Sequence, residues 1–242
     1  MRRTAAAPAL TAAALLLVAT GCTGGESEEQ SASPTEVLAA ARTALDETSG
    51  VRLHLRTDDL PPGVAGITAA SGVVTHGPAF DGTISVIFAG TAVEVPVVAV
   101  GDDVYAQIPL TVGWSRIDPA EYGAPNPAGL IERGRGFSSL LPATTGVERG
   151  ESVRGGADND EILTAYTGTV PGRAMRKVIP SSAGDTFDAE YQVTDDQQLR
   201  SATFTGVFYP DSAEMTYEVD FDEYGVQQEI TAPEVNPSAT TG

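Results

Sequence analysis

The chain has 242 residues, of which 33 are acidic and 14 are basic, and its formal net charge at pH 7 is −19. A surface of this sign repels phosphate backbones, so we expect no nucleic-acid partner. It also repels anionic lipid headgroups, so charge alone would not hold the protein at a membrane. Because 41% of the residues are hydrophobic, the chain can still fold around a sizeable core.

The first 21 residues are predicted to be a lipoprotein signal peptide. Arg2 and Arg3 precede an apolar run that is shorter than the about 20 residues of a membrane-spanning helix. Small residues then lead to Cys22, the only cysteine, with the spacing of a lipobox. We therefore expect cleavage before Cys22, acylation of its thiol, and anchoring on the outer face of the cell membrane. The alternative is an accidental thiol in a discarded leader, which would be unusual in an exported chain.

Three further segments are predicted after the signal peptide. Residues 22–33 are rich in Gly, Ser and Glu and are expected to form a flexible acidic tether. Residues 34–235 are expected to form one folded domain, since no linker of domain scale interrupts them. Residues 236–242 are predicted to be a disordered polar tail.

The folded domain is predicted to begin with a helix and to continue with strands. Ser33 and Glu36 have the spacing of a capping box, and the helical pattern of apolar residues ends at Gly50. Apolar and polar residues alternate after that point, which is typical of antiparallel strands with one solvated face. The alternating segments are residues 51–55, 84–88, 93–97, 104–108 and 215–221.

Two helices are predicted between the strand groups. The first covers residues 126–141 and is weakened by Gly134 and Gly136. The second is short, opens at residue 171 and ends before Pro180. Strands in runs with few helices indicate an α+β fold built on one large antiparallel sheet.

A search for catalytic and metal-binding patterns finds none that is complete. The chain has two histidines, and His54 lies on the polar side of an alternating strand. Residues 158–161 are acidic but lack the spacing of a calcium loop. We therefore expect no enzymatic activity, no metal and no cofactor.

The order of these elements resembles the actinobacterial lipoprotein family of LprG, LppX, LprA and LprF over essentially the whole mature chain. None of the shared motifs is a catalytic signature, but their order is specific. The motifs lie at residues 100–105, 114–115, 126–130, 168–171, 222–225 and 230–233, the last two corresponding to the family's final hairpin.

This resemblance implies a half-barrel: a large curved antiparallel sheet with helices on its concave side enclosing an apolar cavity. It further implies a membrane-anchored protein that carries or chaperones di- or triacylated lipids or glycolipids across the cell envelope, with a major-facilitator exporter as a partner. The predicted cavity residues are Ile84, Val86, Phe88, Val93, Val95, Val97, Leu130, Phe137, Leu140, Met215, Tyr217 and Val219.

Two other interpretations stay open at this point. The same apolar faces would also suit a solid core, in which case the protein would be an adaptor or interaction module for an envelope transporter or a wall enzyme. The glycines of the segment 126–141 either let it open as a lid or simply separate two short helices.

Overall fold

The structure is a computed structural model that describes residues 32–88, 90–156 and 159–235, with the backbone only at residue 88. Its helices are α1 (Pro34–Glu47) and α2 (Gly172–Val178). Its strands are β1 (Gly50–Arg56), β2 (Ile67–Thr75), β3 (Ala79–Phe88), β4 (Thr91–Val100), β5 (Asp103–Ala106), β6 (Ser115–Ile117), β7 (Thr145–Gly155), β8 (Glu161–Pro171), β9 (Thr186–Thr194), β10 (Leu199–Gly206) and β11 (Met215–Asp222). The predicted signal peptide, Cys22 and the predicted tail lie outside the described residues.

All of these strands belong to one open, curved antiparallel sheet. Its order is β6-β5-β4-β3-β2-β1-β11-β10-β9-β8-β7, so that the first and last strands of the chain pair at its centre. There, Leu53 of β1 lies opposite Phe221 of β11, and Leu55 lies opposite Val219. The predicted α+β class and large curved sheet are confirmed.

The concave face of the sheet carries the core, because alternate residues of each strand point inward. In β11, Met215, Tyr217, Val219 and Phe221 are buried, while the residues between them are half-buried. This pattern continues across the sheet, where Tyr191 lies beside Ala202 and Tyr166 lies beside Tyr191. The convex face is half-buried or exposed in β11, but Val73, Val98 and Tyr105, which lie on this face of β2, β4 and β5, are buried.

Helix α1 covers part of the concave face, as predicted. The Ser33 hydroxyl accepts a hydrogen bond from the Glu36 amide, and the Glu36 carboxylate accepts one from the Ser33 amide. This capping box satisfies amide groups that a helix start leaves without partners. Leu38, Ala41 and Leu45 form the buried face of the helix.

The predicted helix over residues 126–141 is wrong. The chain there forms three single 3₁₀ turns instead, at Pro127–Gly129, Phe137–Ser139 and Leu141–Ala143. Gly134 turns the backbone into the left-handed region with φ of +74°, which ends any helix. The prediction failed because short turns can bury the same apolar residues as a helix.

The expected final hairpin also differs from the structure. Strand β11 ends at Asp222, and a turn with positive φ at Glu223 and Gly225 follows it. Residues 226–234 then run without strand structure, and Val235 makes a single bridge to Trp114. The second strand is missing because this segment forms no ladder with a neighbour in the described part of the chain.

Candidate functional site

A cavity of about 50 Å³ lies between the concave face and the segments that cross it. Its lining is mainly apolar. The sheet contributes Leu53, Leu55, Ile67, Ala70, Phe80, Ile84 and Tyr217, and the other segments contribute Gly123, Pro125, Pro127, Leu130, Phe137, Ile179, Ser181 and Tyr209.

The floor of the cavity is shaped by two glycines of neighbouring strands. Gly72 and Gly82 lie opposite each other, and a Cβ on either would come within 2.8 Å of the Phe80 ring. The ring therefore lies against these two glycines, where a larger side chain would displace it. This arrangement leaves room above the ring for the cavity.

Residues 118–144, here called the covering segment, close the cavity from the side opposite the sheet. Phe137 is its main apolar anchor, with its ring stacked on Phe204 at 6.4 Å and edge-on to Phe221 at 5.8 Å. The Ser138 hydroxyl donates to the Asp46 carboxylate at 2.6 Å, and Arg133 Nε donates to the Asp46 carbonyl oxygen at 2.6 Å. One acidic residue of α1 thus holds two parts of the covering segment.

The first half of the covering segment is held by the side-chain amide of Asn126. Asn126 Nδ2 donates to the Gly101 carbonyl oxygen at 2.8 Å, and Asn126 Oδ1 accepts from the Ala128 amide at 3.0 Å. Between these two attachments the segment has only 3₁₀ turns, whose hydrogen-bond geometry is poorer than that of an α-helix. Burial of Ile131, Leu140 and Leu141 in the core holds the segment as well.

Two tyrosines provide the polar groups at one end of the cavity. The Tyr217 hydroxyl donates to the Ile67 carbonyl oxygen at 2.7 Å and lies 2.9 Å from the Tyr209 hydroxyl. The Ile67 amide in turn donates to the Tyr209 hydroxyl at 3.3 Å. Burial raises the pKa of Tyr217 far above its ordinary value, so this hydroxyl stays neutral and acts as a hydrogen-bonding group.

The predicted cavity residues fall into three groups. Ile84, Leu130, Phe137 and Tyr217 line the cavity. Val97, Leu140, Met215 and Val219 are buried in the surrounding core. Val86, Val93 and Val95 are half-buried on β3 and β4, and the side chain of Phe88 lies outside the described residues, as does Cys22.

Several lining residues were not among the predicted cavity residues. Ile67 begins a strand without clear alternation, and Pro125, Ile179 and Tyr209 lie in connections between elements. Their apolar character is the only sequence signal, and it carries no period. They reach the cavity because the connections fold back over the sheet.

The described residues contain no group of three or more His, Cys, Asp and Glu side chains that could hold a metal ion. His76 Nε2 lies 3.0 Å from the Leu45 carbonyl oxygen, and His54 lies on β1 opposite Asp220. None of the helices in the described ranges is long and apolar enough to cross a membrane.

Comparison with known proteins places these features in one family. The LppX_LprAFG lipoprotein family matches residues 33–231. The crystal structure of LprF from Mycobacterium bovis superposes with a TM-score of 0.68 at 13% identity, covering 83% of this chain and 96% of LprF. The structure of the lipoprotein LppX from Mycobacterium tuberculosis gives 0.59 at 17% identity, covering 82% and 98%. No curated protein matches the sequence. The chain belongs to the LppX_LprAFG lipoprotein family.

Proposed function

We propose that the protein is a membrane-anchored lipoprotein that binds acylated lipids or glycolipids on its concave face and carries them across the cell envelope. The observation that carries the proposal is the apolar cavity between the sheet and the covering segment. Its lining offers apolar contacts and neutral hydroxyls, which suit acyl chains near ester or hydroxyl groups. Membership of a lipoprotein family supports the same function.

The physical need for such a carrier follows from the cost of exposing acyl chains to water. Each methylene buried from water is worth about 0.8 kcal/mol, so a chain of about 15 methylenes costs roughly 12 kcal/mol to expose. Exposing both acyl chains of a diacylated lipid in an aqueous gap would cost about twice this free energy. A tethered domain with an apolar interior lowers that barrier without covalent chemistry.

The cavity must expand before it can hold such a ligand. A volume of about 50 Å³ holds only a few water-sized spheres, far less than an acyl chain needs. The covering segment is the part that would move, because it consists of short 3₁₀ turns and not of a continuous helix or a strand of the sheet. Outward movement would extend the cavity along the apolar concave face, toward the residues that now form the buried core.

The membrane attachment and the partner belong to the same proposal. Acylated Cys22 would hold the domain at the outer face of the cell membrane, and the residues of the tether would allow a reach of roughly 35 Å. A di- or triacylated lipid or glycolipid would be the cargo, and a major-facilitator exporter would act in the same transfer. These assignments rest on the family resemblance and on the signal at residues 1–22.

A second candidate function is favoured by the small size of the cavity. A core with only about 50 Å³ of free space also suits a solid module that binds an envelope transporter or a wall enzyme. Native mass spectrometry of full-length protein purified from membranes, followed by lipid extraction, separates the two functions. We expect a bound diacyl or triacyl species in addition to the anchor; a protein that carries only its anchor, even after incubation with envelope lipids, would support the solid module.

A further inference from the structure

The connection between β5 and β6, residues 107–114, is here called the apolar finger. Leu110 at its tip is completely exposed, and Val112 is 79% exposed. Leu110 also has φ of +68°, a left-handed conformation that is strained for a bulky side chain. A leucine that is strained and fully solvated gains nothing from the fold, which indicates a role outside it.

The apolar finger is also free of charge, in a chain that is 19% charged. Residues 104–115 contain no Asp, Glu, Lys or Arg. The charges that flank this stretch, Asp103 and Arg116, pair with each other at the base of the finger. This neutral surface can therefore approach a lipid headgroup layer that the strongly acidic remainder of the protein would avoid.

The finger leaves the sheet at the same end as the cavity. The Gln107 amide donates to the Pro96 carbonyl oxygen at 3.0 Å. Pro96 lies opposite Thr83, next to the cavity residue Ile84. The connection after β10 leaves from this end as well and contains Tyr209, which lines the cavity.

We infer that the apolar finger inserts Leu110 and Val112 into the interface of a lipid bilayer and docks the cavity end of the protein on the membrane. A protein partner fits this surface less well, because a stable protein interface buries about 800 Å² on each side, more than one hairpin tip offers. Fluid lipid instead closes around single protruding side chains. Docking in this way would bring the cavity close to the lipids that it is proposed to take up.

The intrinsic fluorescence of one residue can test this contact with the membrane. Trp114, the only tryptophan, lies at the base of the finger, four residues from Leu110. The full-length protein, anchored in phosphatidylcholine vesicles, should lose Trp114 fluorescence when the acyl chains of the lipid are brominated. Because every variant carries the same anchor, a difference in quenching between variants measures insertion of the apolar finger and not attachment to the vesicle.

Three variants give the comparison its controls. Leu110→Asp should abolish the quenching, and Leu110→Gly should abolish it while the Tm stays equal or rises, because glycine tolerates the positive φ. Val153→Asp places the same charge at a half-exposed apolar position on β7, the opposite edge strand, and should keep the quenching. A wild-type protein without quenching, or a Leu110→Gly protein that is quenched like the wild type, would overturn the inference. Docking does not require cargo, so a failure of lipid binding in native mass spectrometry leaves this test independent.

Discussion

Three glycines of the covering segment should respond to alanine in different directions. A Cβ on Gly129 would lie 3.7 Å from a Glu132 carboxylate oxygen, an ordinary contact. Gly134 faces open space, but its φ of +74° suits glycine alone. A Cβ on Gly136 would lie 2.3 Å from the Leu130 carbonyl oxygen and 2.7 Å from its carbon, and backbone atoms cannot rotate away as a side chain can.

These geometries set the expected changes in the free energy of unfolding. Gly129→Ala should stabilise by up to about 1 kcal/mol, because alanine restricts the unfolded chain. Gly134→Ala should destabilise by about 1 kcal/mol, from a left-handed strain of about 1–2 kcal/mol less the same entropic gain. Gly136→Ala should cost about 1–3 kcal/mol as overpacking, since it also disturbs the hydrogen bond from the Phe137 amide to the Leu130 carbonyl at 2.8 Å.

Urea unfolding of the three variants in a shared Cys22→Ser background measures these changes without the anchor. A continuous helix over residues 126–141 would make the opposite prediction, because alanine stabilises a helix interior by about 1 kcal/mol relative to glycine. Gly136→Ala with stability equal to or above that of the wild type would therefore refute the turn structure. Gly129→Ala is the matched control, since it adds the same methyl group to the same segment.

Three other predictions concern the anchor, the cavity and an ion pair. Metabolic labelling with a clickable fatty acid should mark the wild type and leave Cys22→Ala unlabelled; equal labelling would contradict the anchor. Ile84→Trp should fill the cavity and lower the lipid content with little change in Tm, whereas a loss of about 1–3 kcal/mol with no resident lipid in the wild type would indicate a solid core. Glu161 accepts hydrogen bonds from Arg200 Nε at 2.8 and 3.1 Å, and these lower its pKa in the folded state. The pair therefore stabilises the fold above the unfolded pKa of about 4.3, and this stabilisation is lost as the pH falls through the folded value. Arg200→Gln should lower stability at pH 7 by about 1 kcal/mol and by much less near pH 3; an equal loss at both pH values would show that packing on Tyr224 dominates.

The parts of the fold that the sequence predicted well are those in which local signals and burial agree. The capping box of Ser33 and Glu36 marks the start of α1, and the strict alternation in β11 marks a strand with one buried face. The pairing of β1 with β11 gives no such local signal, because it joins segments about 170 residues apart. The curvature of the sheet was predicted only from the family resemblance, because the sequence of a single strand does not indicate it.

Strands β2 and β6 to β10 were not among the predicted alternating segments, although the burial pattern of β9 does alternate. Strand β2 was missed because many of its residues are small. Its sequence ITAASGVVT lacks a clear apolar alternation, and Gly72 is there to accommodate the Phe80 ring of the neighbouring strand. The covering segment was misread for the opposite reason, since its apolar residues are spaced like those of a helix. The cavity itself could not be derived locally, because it is the space left between distant segments such as β3 and the connections that hold Ile179 and Tyr209.

The central claim, that a lipid occupies the concave face beneath the covering segment, is tested most directly by photo-crosslinking. The full-length protein would be loaded with a diacyl lipid that carries a photoreactive group on its acyl chain, irradiated, digested and analysed by mass spectrometry. We predict that the label lies on peptides containing Ile84, Leu130, Phe137 and Tyr217, and that unlabelled lipid competes for it. Label confined to exposed positions such as Leu110, or no label above that of a denatured control, would contradict the account.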